Sequence, residues 1–125
     1  MFALVSVALV FFVLGVMDYM ITTSRTMDAV AVADLSAHAG AQEVLVRPNG
    51  VIENAPAGPA VAALYFSMQA PSYVRLTGIS CGPIDDRPAC EVTVQVRSAG
   101  YLVPTRWITV RAVGYLAYGV TRGDQ

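Results

Sequence analysis

Residues 2–21 are apolar almost without interruption: these twenty positions carry one charge, Asp18, near the C-terminal end. As a helix rising about 1.5 Å per residue, such a stretch spans roughly 30 Å, the thickness of a bilayer's hydrocarbon core. A helical period continues beyond it. Val30, Ala33, Ala37, Ala41 and Val44 recur at steps of three or four and make a narrow stripe of small residues. Asp28, Ser36, Glu43 and Arg47 are assigned to the opposite side. No proline precedes Pro48, and Gly40 is the only glycine between Gly15 and Gly50. One continuous helix over about residues 2–46 is therefore predicted, stopped by Pro48, Asn49 and Gly50. Its stripe suits a sheet that brings the larger side chains; a helix–helix dimer seam is the alternative use.

After a turn-rich connector, Pro59 is well placed to open a second, shorter helix over about residues 59–69. Tyr65 and Phe66 would anchor it, and a strand over residues 64–68 is the fallback. Three runs then alternate with the two-residue period of strands, at about residues 73–81, 90–97 and 106–118. The middle run is the cleanest, with Val92, Val94 and Val96 on one face. The predicted fold class is α+β. Residues 1–24 form the membrane-length half of a long helix, and residues 25–47 form its amphipathic continuation. Residues 48–125 form a head in which a three-stranded antiparallel sheet covers the small-residue stripe.

Composition sharpens this division. Hydrophobic residues make up 55% and charged residues 14%, against about 45–50% and 25% in ordinary soluble domains. The excess sits at the N-terminus, where residues 1–17 contain no charge. Net charge is −1, with eight Arg, no Lys and no basic run, which argues against an electrostatic nucleic-acid binder. One His and two Cys do not supply a zinc site. His38 has Asp34 one helical turn away, but no nucleophile or oxyanion site accompanies them. With no phosphate loop and no catalytic cluster, the chain is not expected to be an enzyme, or to take a metal, cofactor or small-molecule substrate.

Asp18 admits two readings: a residue reaching the headgroup layer, or a packing residue that meets a partner charge in the membrane. At mid-bilayer it would cost about 2.5–3.5 kcal/mol on insertion scales. Tyr19 beside it suits the aromatic belt. A cleaved signal peptide is the competing reading of the segment. It is disfavoured because no Arg or Lys precedes the apolar run and the Ala-x-Ala sites at residues 29–33 lie well past its end. Arg25 alone would keep the C-terminal side in the cytoplasm, whereas the two cysteines favour an oxidising compartment. Cys81 and Cys90 flank eight turn-forming residues between the first two strands, so a hairpin would bring them together as a disulfide. Asp85, Asp86 and Arg87 lie in that connection, either as a solvated turn or as a partner contact.

The opening Phe2, Ala3, Leu4, Val5 and the later Leu14, Gly15, Val16, Met17, Asp18, Tyr19 resemble the N-terminus of TadE-like proteins, pseudopilins of tight-adherence (Flp) type IV pili. Residues 31–41, AVADLSAHAGA, are similar to the Ala-rich stretch of TadE- and TadG-like proteins. The specific likeness covers about 40 residues. It implies a pilin-like minor pilin or pseudopilin in the bacterial inner membrane, crossing once, with the C-terminal domain outside. Its partners would be other pilin subunits, the assembly machinery and the membrane. Phe2, Leu4, Val5, Leu14, Gly15, Asp18 and Tyr19 would serve helix packing and assembly. Met1 stands where the family carries Glu: either an upstream leader and Glu precede it in the native frame, which is the expectation, or the protein enters its assembly without that Glu. A single-pass, membrane-anchored interaction domain of another envelope complex is the alternative.

Overall fold

Helix α1 runs over Phe2–Ala41, 40 residues without a proline, or about 60 Å at 1.5 Å per residue. The computed structural model describes residues 1–116. Strands β1 (Val44–Val46) and β2 (Ile52–Asn54) follow, then helix α2 (Gly58–Gln69) and strands β3 (Val74–Ile84), β4 (Arg87–Arg97) and β5 (Trp107–Tyr115). The architecture is α+β. β3, β4 and β5 form an antiparallel meander, and β1 pairs with β2 as a separate hairpin. The predicted third strand extended to residue 118; residues 117 and 118 lie outside the described residues.

α1 ends at Ala41, not at residue 46, so the amphipathic continuation assigned to residues 25–47 is shorter. The N–H of Gln42 still reaches the His38 carbonyl, and then the chain turns into Val44, Leu45 and Val46. Two β-branched valines in three residues favour a strand once a partner exists. Ile52–Asn54 supplies the partner. Pro48, Asn49 and Gly50 are therefore a hairpin turn rather than a helix stop. Gly50 has φ +87°, and Asn49 Oδ1 accepts the Val51 N–H at 3.1 Å. Val44, expected on the helical stripe, is a half-buried strand residue.

The stripe itself is displaced. Val30 is exposed, while Ala29, Val32, Ala33, Ser36, Ala37, Gly40 and Ala41 are buried. Ser36, expected on the polar side, is 1% exposed, and its hydroxyl has no hydrogen-bond partner among the described residues. Smallness, not hydropathy, decides burial here, because the sheet and α2 come close to the helix backbone. A Cβ on Gly40 would lie 3.0 Å from the Ala62 Cβ, the Cys90 Sγ and the Gly58 carbonyl oxygen. A Cβ on Gly114 of β5 would lie 2.6 Å from the Ala37 carbonyl carbon, inside any tolerable contact. The obstruction is backbone, so relief requires the strand to move. Gly114→Ala is expected to destabilise the fold by about 2 kcal/mol, within the range for overpacked sites, as measured by chemical denaturation.

The sheet's inner face joins Val74, Leu76 and Ile79 to Val92, Val94 and Val96, and these to Ile108, Val110 and Ala112. The three central valines are fully buried. Leu76 and Ile79 are three residues apart, which strict alternation would send to opposite faces. A bulge between Leu76 and Gly78 absorbs the extra residue and returns Ile79 to the core. From α2, Ala62 and Phe66 enter this core, whereas Tyr65, expected as an anchor, is 38% exposed.

β3 and β4 continue past the cysteines. Gly82 pairs with Ala89 and Ile84 with Arg87, leaving a two-residue turn. Asp85 and Asp86 have φ of 52° and 62°, the left-handed pair of a type I′ turn, whose twist matches the strands. The connection is thus a tight turn rather than an open eight-residue loop. Arg87 belongs to β4, where its guanidinium donates to the Leu116 carbonyl at 2.7 Å and lies over the Tyr115 ring. Because glycine adopts the left-handed region at little cost, Asp86→Gly is expected to stabilise the protein by about 0.5–1 kcal/mol. A rise in the urea midpoint with an unchanged slope would register it.

Candidate functional site

Gly15, Asp18, Thr22 and Arg25 fall on one face of α1, spaced three, four and three residues apart. Each meets the β4–β5 connection. The Asp18 carboxylate accepts three consecutive backbone N–H groups: Tyr101 at 2.8 Å, Leu102 at 2.7 Å and Val103 at 2.8 Å. Its residue is 7% exposed. One helical turn on, Thr22 Oγ1 accepts the Ala99 N–H at 3.0 Å. A further turn on, Arg25 donates to the Arg97 carbonyl at 3.1 Å. The loop closes at its base, where the Ser98 N–H donates to the Arg106 carbonyl and Ser98 Oγ accepts the Arg106 N–H, both at 2.9 Å.

This arrangement is a polar latch. Three successive amides turned toward one point make a concave anion site. Here the anion is a side chain of the same protein, some 83 residues earlier in sequence. These partners lie within its own chain, an internal role that neither sequence reading of Asp18, headgroup layer or partner charge, included. Gly15 faces the same loop: a Cβ there would lie in ordinary contact with Leu102 Cδ2, at 3.4 Å. A shallow groove of about 360 Å³ runs beside it, between Tyr19 and Thr23 on the helix and Val103 and Arg106 on the loop.

The latch continues toward the head. Asp28 Oδ2 accepts the Tyr73 hydroxyl at 2.6 Å, and the Arg25 guanidinium lies 4.9 Å from the Tyr73 ring centre. The hydrogen bond to Asp28 raises the Tyr73 phenol above its ordinary pKa of 10.0. A raised phenol pKa means the bond contributes at neutral pH and is lost as pH climbs past the ordinary value.

The other predicted assembly residues fall into two groups. Phe2, Leu4, Val5 and Tyr19 are exposed, whereas Leu14 and Gly15 are half-buried. Among the described residues nothing covers the apolar side chains of the first thirteen positions; Phe2 is 90% exposed. α1 is long and apolar enough to cross a membrane. Of the residues proposed for helix–sheet packing, Ala33, Ala37 and Ala41 meet the head; Val30 and Val44 do not share that buried face.

Cys81 and Cys90 occupy directly paired positions on β3 and β4, 4.0 Å apart at Cα, and are joined as a disulfide. The bridge is packed against the C-terminal end of α1 and the start of α2, near Gly40 and Gly58. Asp85 and Asp86 form the turn beyond it. His38 is exposed and hydrogen-bonded within its own helix, Nδ1 to the Asp34 carbonyl at 2.9 Å. Among the described residues no three His, Cys, Asp or Glu side chains converge to hold a metal ion.

Sequence reasoning missed Thr22 as a contact, used Arg25 only for orientation, and passed over Tyr101, Leu102 and Val103. A signal was present. On a helical wheel, residues 15, 18, 22 and 25 continue the face of Ala29, Val32, Ser36 and Gly40. The buried face therefore begins in the apolar run, with polar members first and small members after. The chain matches no protein-family model, no curated protein and no solved structure.

Proposed function

We propose that this chain is a minor pilin or pseudopilin of a tight-adherence (type IVc) pilus, held in the bacterial inner membrane before assembly. Its role is structural. The observation that carries the reading is the division of α1 into an uncovered apolar half and a half clamped beneath an α+β head. Such a helix suits lipid at one stage and neighbouring helices at another, because both environments accept apolar side chains and penalise unpaired charge. The likeness of residues 2–19 to TadE-like proteins narrows the class. The disulfide suits a head outside the cytoplasm.

The test is fractionation of sheared filaments together with deletion of the gene. Recovery of the chain in the filament fraction, with impaired piliation in the deletion strain, is the expected result. Normal pili in the deletion strain would overturn the assignment. One observation favours a second reading, a single-pass membrane-anchored extracytoplasmic interaction domain. Asp18 is satisfied within its own chain and needs no neighbouring subunit. Under that reading the protein stays in the membrane fraction and never enters filaments.

A further inference from the structure

We propose that the tip of the β4–β5 loop, Tyr101, Leu102 and Val103, is a second membrane-contacting element that inserts among lipid acyl chains beside α1. The inference rests on the reading that α1 spans a bilayer. Three independent observations point to it.

The first is exposure. Tyr101, Leu102 and Val103 are 55%, 41% and 46% exposed, a contiguous apolar tip that the head leaves open. The second is level. Leu102 lies against Gly15, inside the apolar run of residues 2–21 and not beyond its end. If those twenty residues occupy the hydrocarbon core, Gly15 lies about 9 Å below its head-side boundary, counted at 1.5 Å per residue from Ile21. The tip is therefore at acyl-chain depth by virtue of the helix it is latched to. Exposed Tyr19 is placed nearby, at the depth where aromatic belts gather.

The third observation is the most specific. Irregular backbone is excluded from hydrocarbon because its N–H and C=O groups lack partners there. At this tip all three N–H groups of the apolar residues donate to Asp18, and the next residue, Pro104, has none. Four successive residues thus leave no backbone N–H without a partner, which removes the donor half of that cost, and the Tyr101 hydroxyl is the one polar group on their side chains. The same bonds serve Asp18, which would otherwise be an unpaired carboxylate at the edge of the core.

The test uses the full chain reconstituted in phosphatidylcholine vesicles carrying bromine on the acyl chains. In a Trp107→Phe background, which removes the single native Trp, three single-Trp variants are compared: Tyr101→Trp, Leu102→Trp and Val10→Trp. Val10 reports on the span itself. The expected result is loss of emission from Tyr101→Trp and Leu102→Trp comparable to the loss from Val10→Trp, with shielding from aqueous acrylamide. If Val10→Trp is quenched by the brominated chains while both loop variants are not, the inference is overturned and the span stands. That outcome includes shielding of the loop from lipid and acrylamide alike, which would mark a second copy or another protein as the cover. If Val10→Trp is also unquenched, the spanning reading fails and the inference fails with it. Two loop variants guard against one that perturbs the tip, and retention of the Cys81–Cys90 bridge in each reports a folded head.

Discussion

Replacement of both Cys81 and Cys90 by Ala is expected to destabilise the head by about 3 kcal/mol. The bridge closes a short loop, with a sequence separation of 9, and closing a loop of this size removes about 2.7 kcal/mol of unfolded-chain entropy on the loop-entropy model. Burial adds to this, since Cys90 is fully buried and packs close to Gly40. For a small head, the melting temperature should fall by roughly 10–20 °C. Calorimetry of the double variant, compared with the disulfide-bonded wild type under non-reducing conditions, measures it. An unchanged melting temperature would mean that the paired strands and their type I′ turn already restrict the hairpin without the bond. The effect belongs to the head: helicity of the first half of α1 in a membrane should be unaffected.

Asp18→Leu is expected to free the β4–β5 tip from α1. Leucine fits the apolar run better than aspartate, so insertion into a bilayer should improve, while the head loses its attachment at Tyr101, Leu102 and Val103. Each of these three N–H groups loses a charged acceptor at 2.7 to 2.8 Å. Hydrogen bonds to charged groups are among the more valuable in proteins, and the three act together on one short segment. Amide exchange at residues 101–103 should accelerate by on the order of tenfold or more, while the fully buried valines of β4 remain protected. Exchange measured by mass spectrometry in nanodiscs separates the two regions. Asp18→Asn is a sharper control: it keeps one carbonyl oxygen but turns an amide donor toward backbone donors, so it should behave like the leucine variant. Protection retained in both variants would show that Thr22 and Arg25 hold the loop unaided.

The two variants divide the chain along the same line as its periodicities. The membrane-length run, the alternation of residues 91–97 and the proximity of the cysteines are local patterns, and each was legible. So was Pro59 at the start of a short helix. The misreadings occur where a long-range contact overrides a local pattern. Val44 continues a helical stripe on paper and Leu45 and Val46 extend the same helix, yet all three pair with residues 52–54 because a partner strand is within reach. Ser36 looks polar and is buried because only a small side chain fits beneath the sheet. The bulge after Leu76 is invisible to a strict two-residue count, since its cause is the need to keep Ile79 inward. Asp85 and Asp86 look like a solvated acidic loop; strand pairing to Ile84 and Arg87 makes them the two corners of a turn.

Asp18 marks the boundary most clearly. By itself the sequence determined that one helix would carry an uncovered apolar half, that a valine-rich sheet would cover small residues farther along it, and that two cysteines would meet across a hairpin. These follow from hydropathy and spacing over a few turns or strands. Only the tertiary structure decided what the lone charge in the apolar run does. Its partners are three backbone amides of a loop more than eighty residues away, and backbone N–H groups are common to nearly every residue. No residue type or spacing announces them. Their convergence arises only when β4 and β5, packed by their valines on the helix, carry their connecting loop down to the level of Gly15.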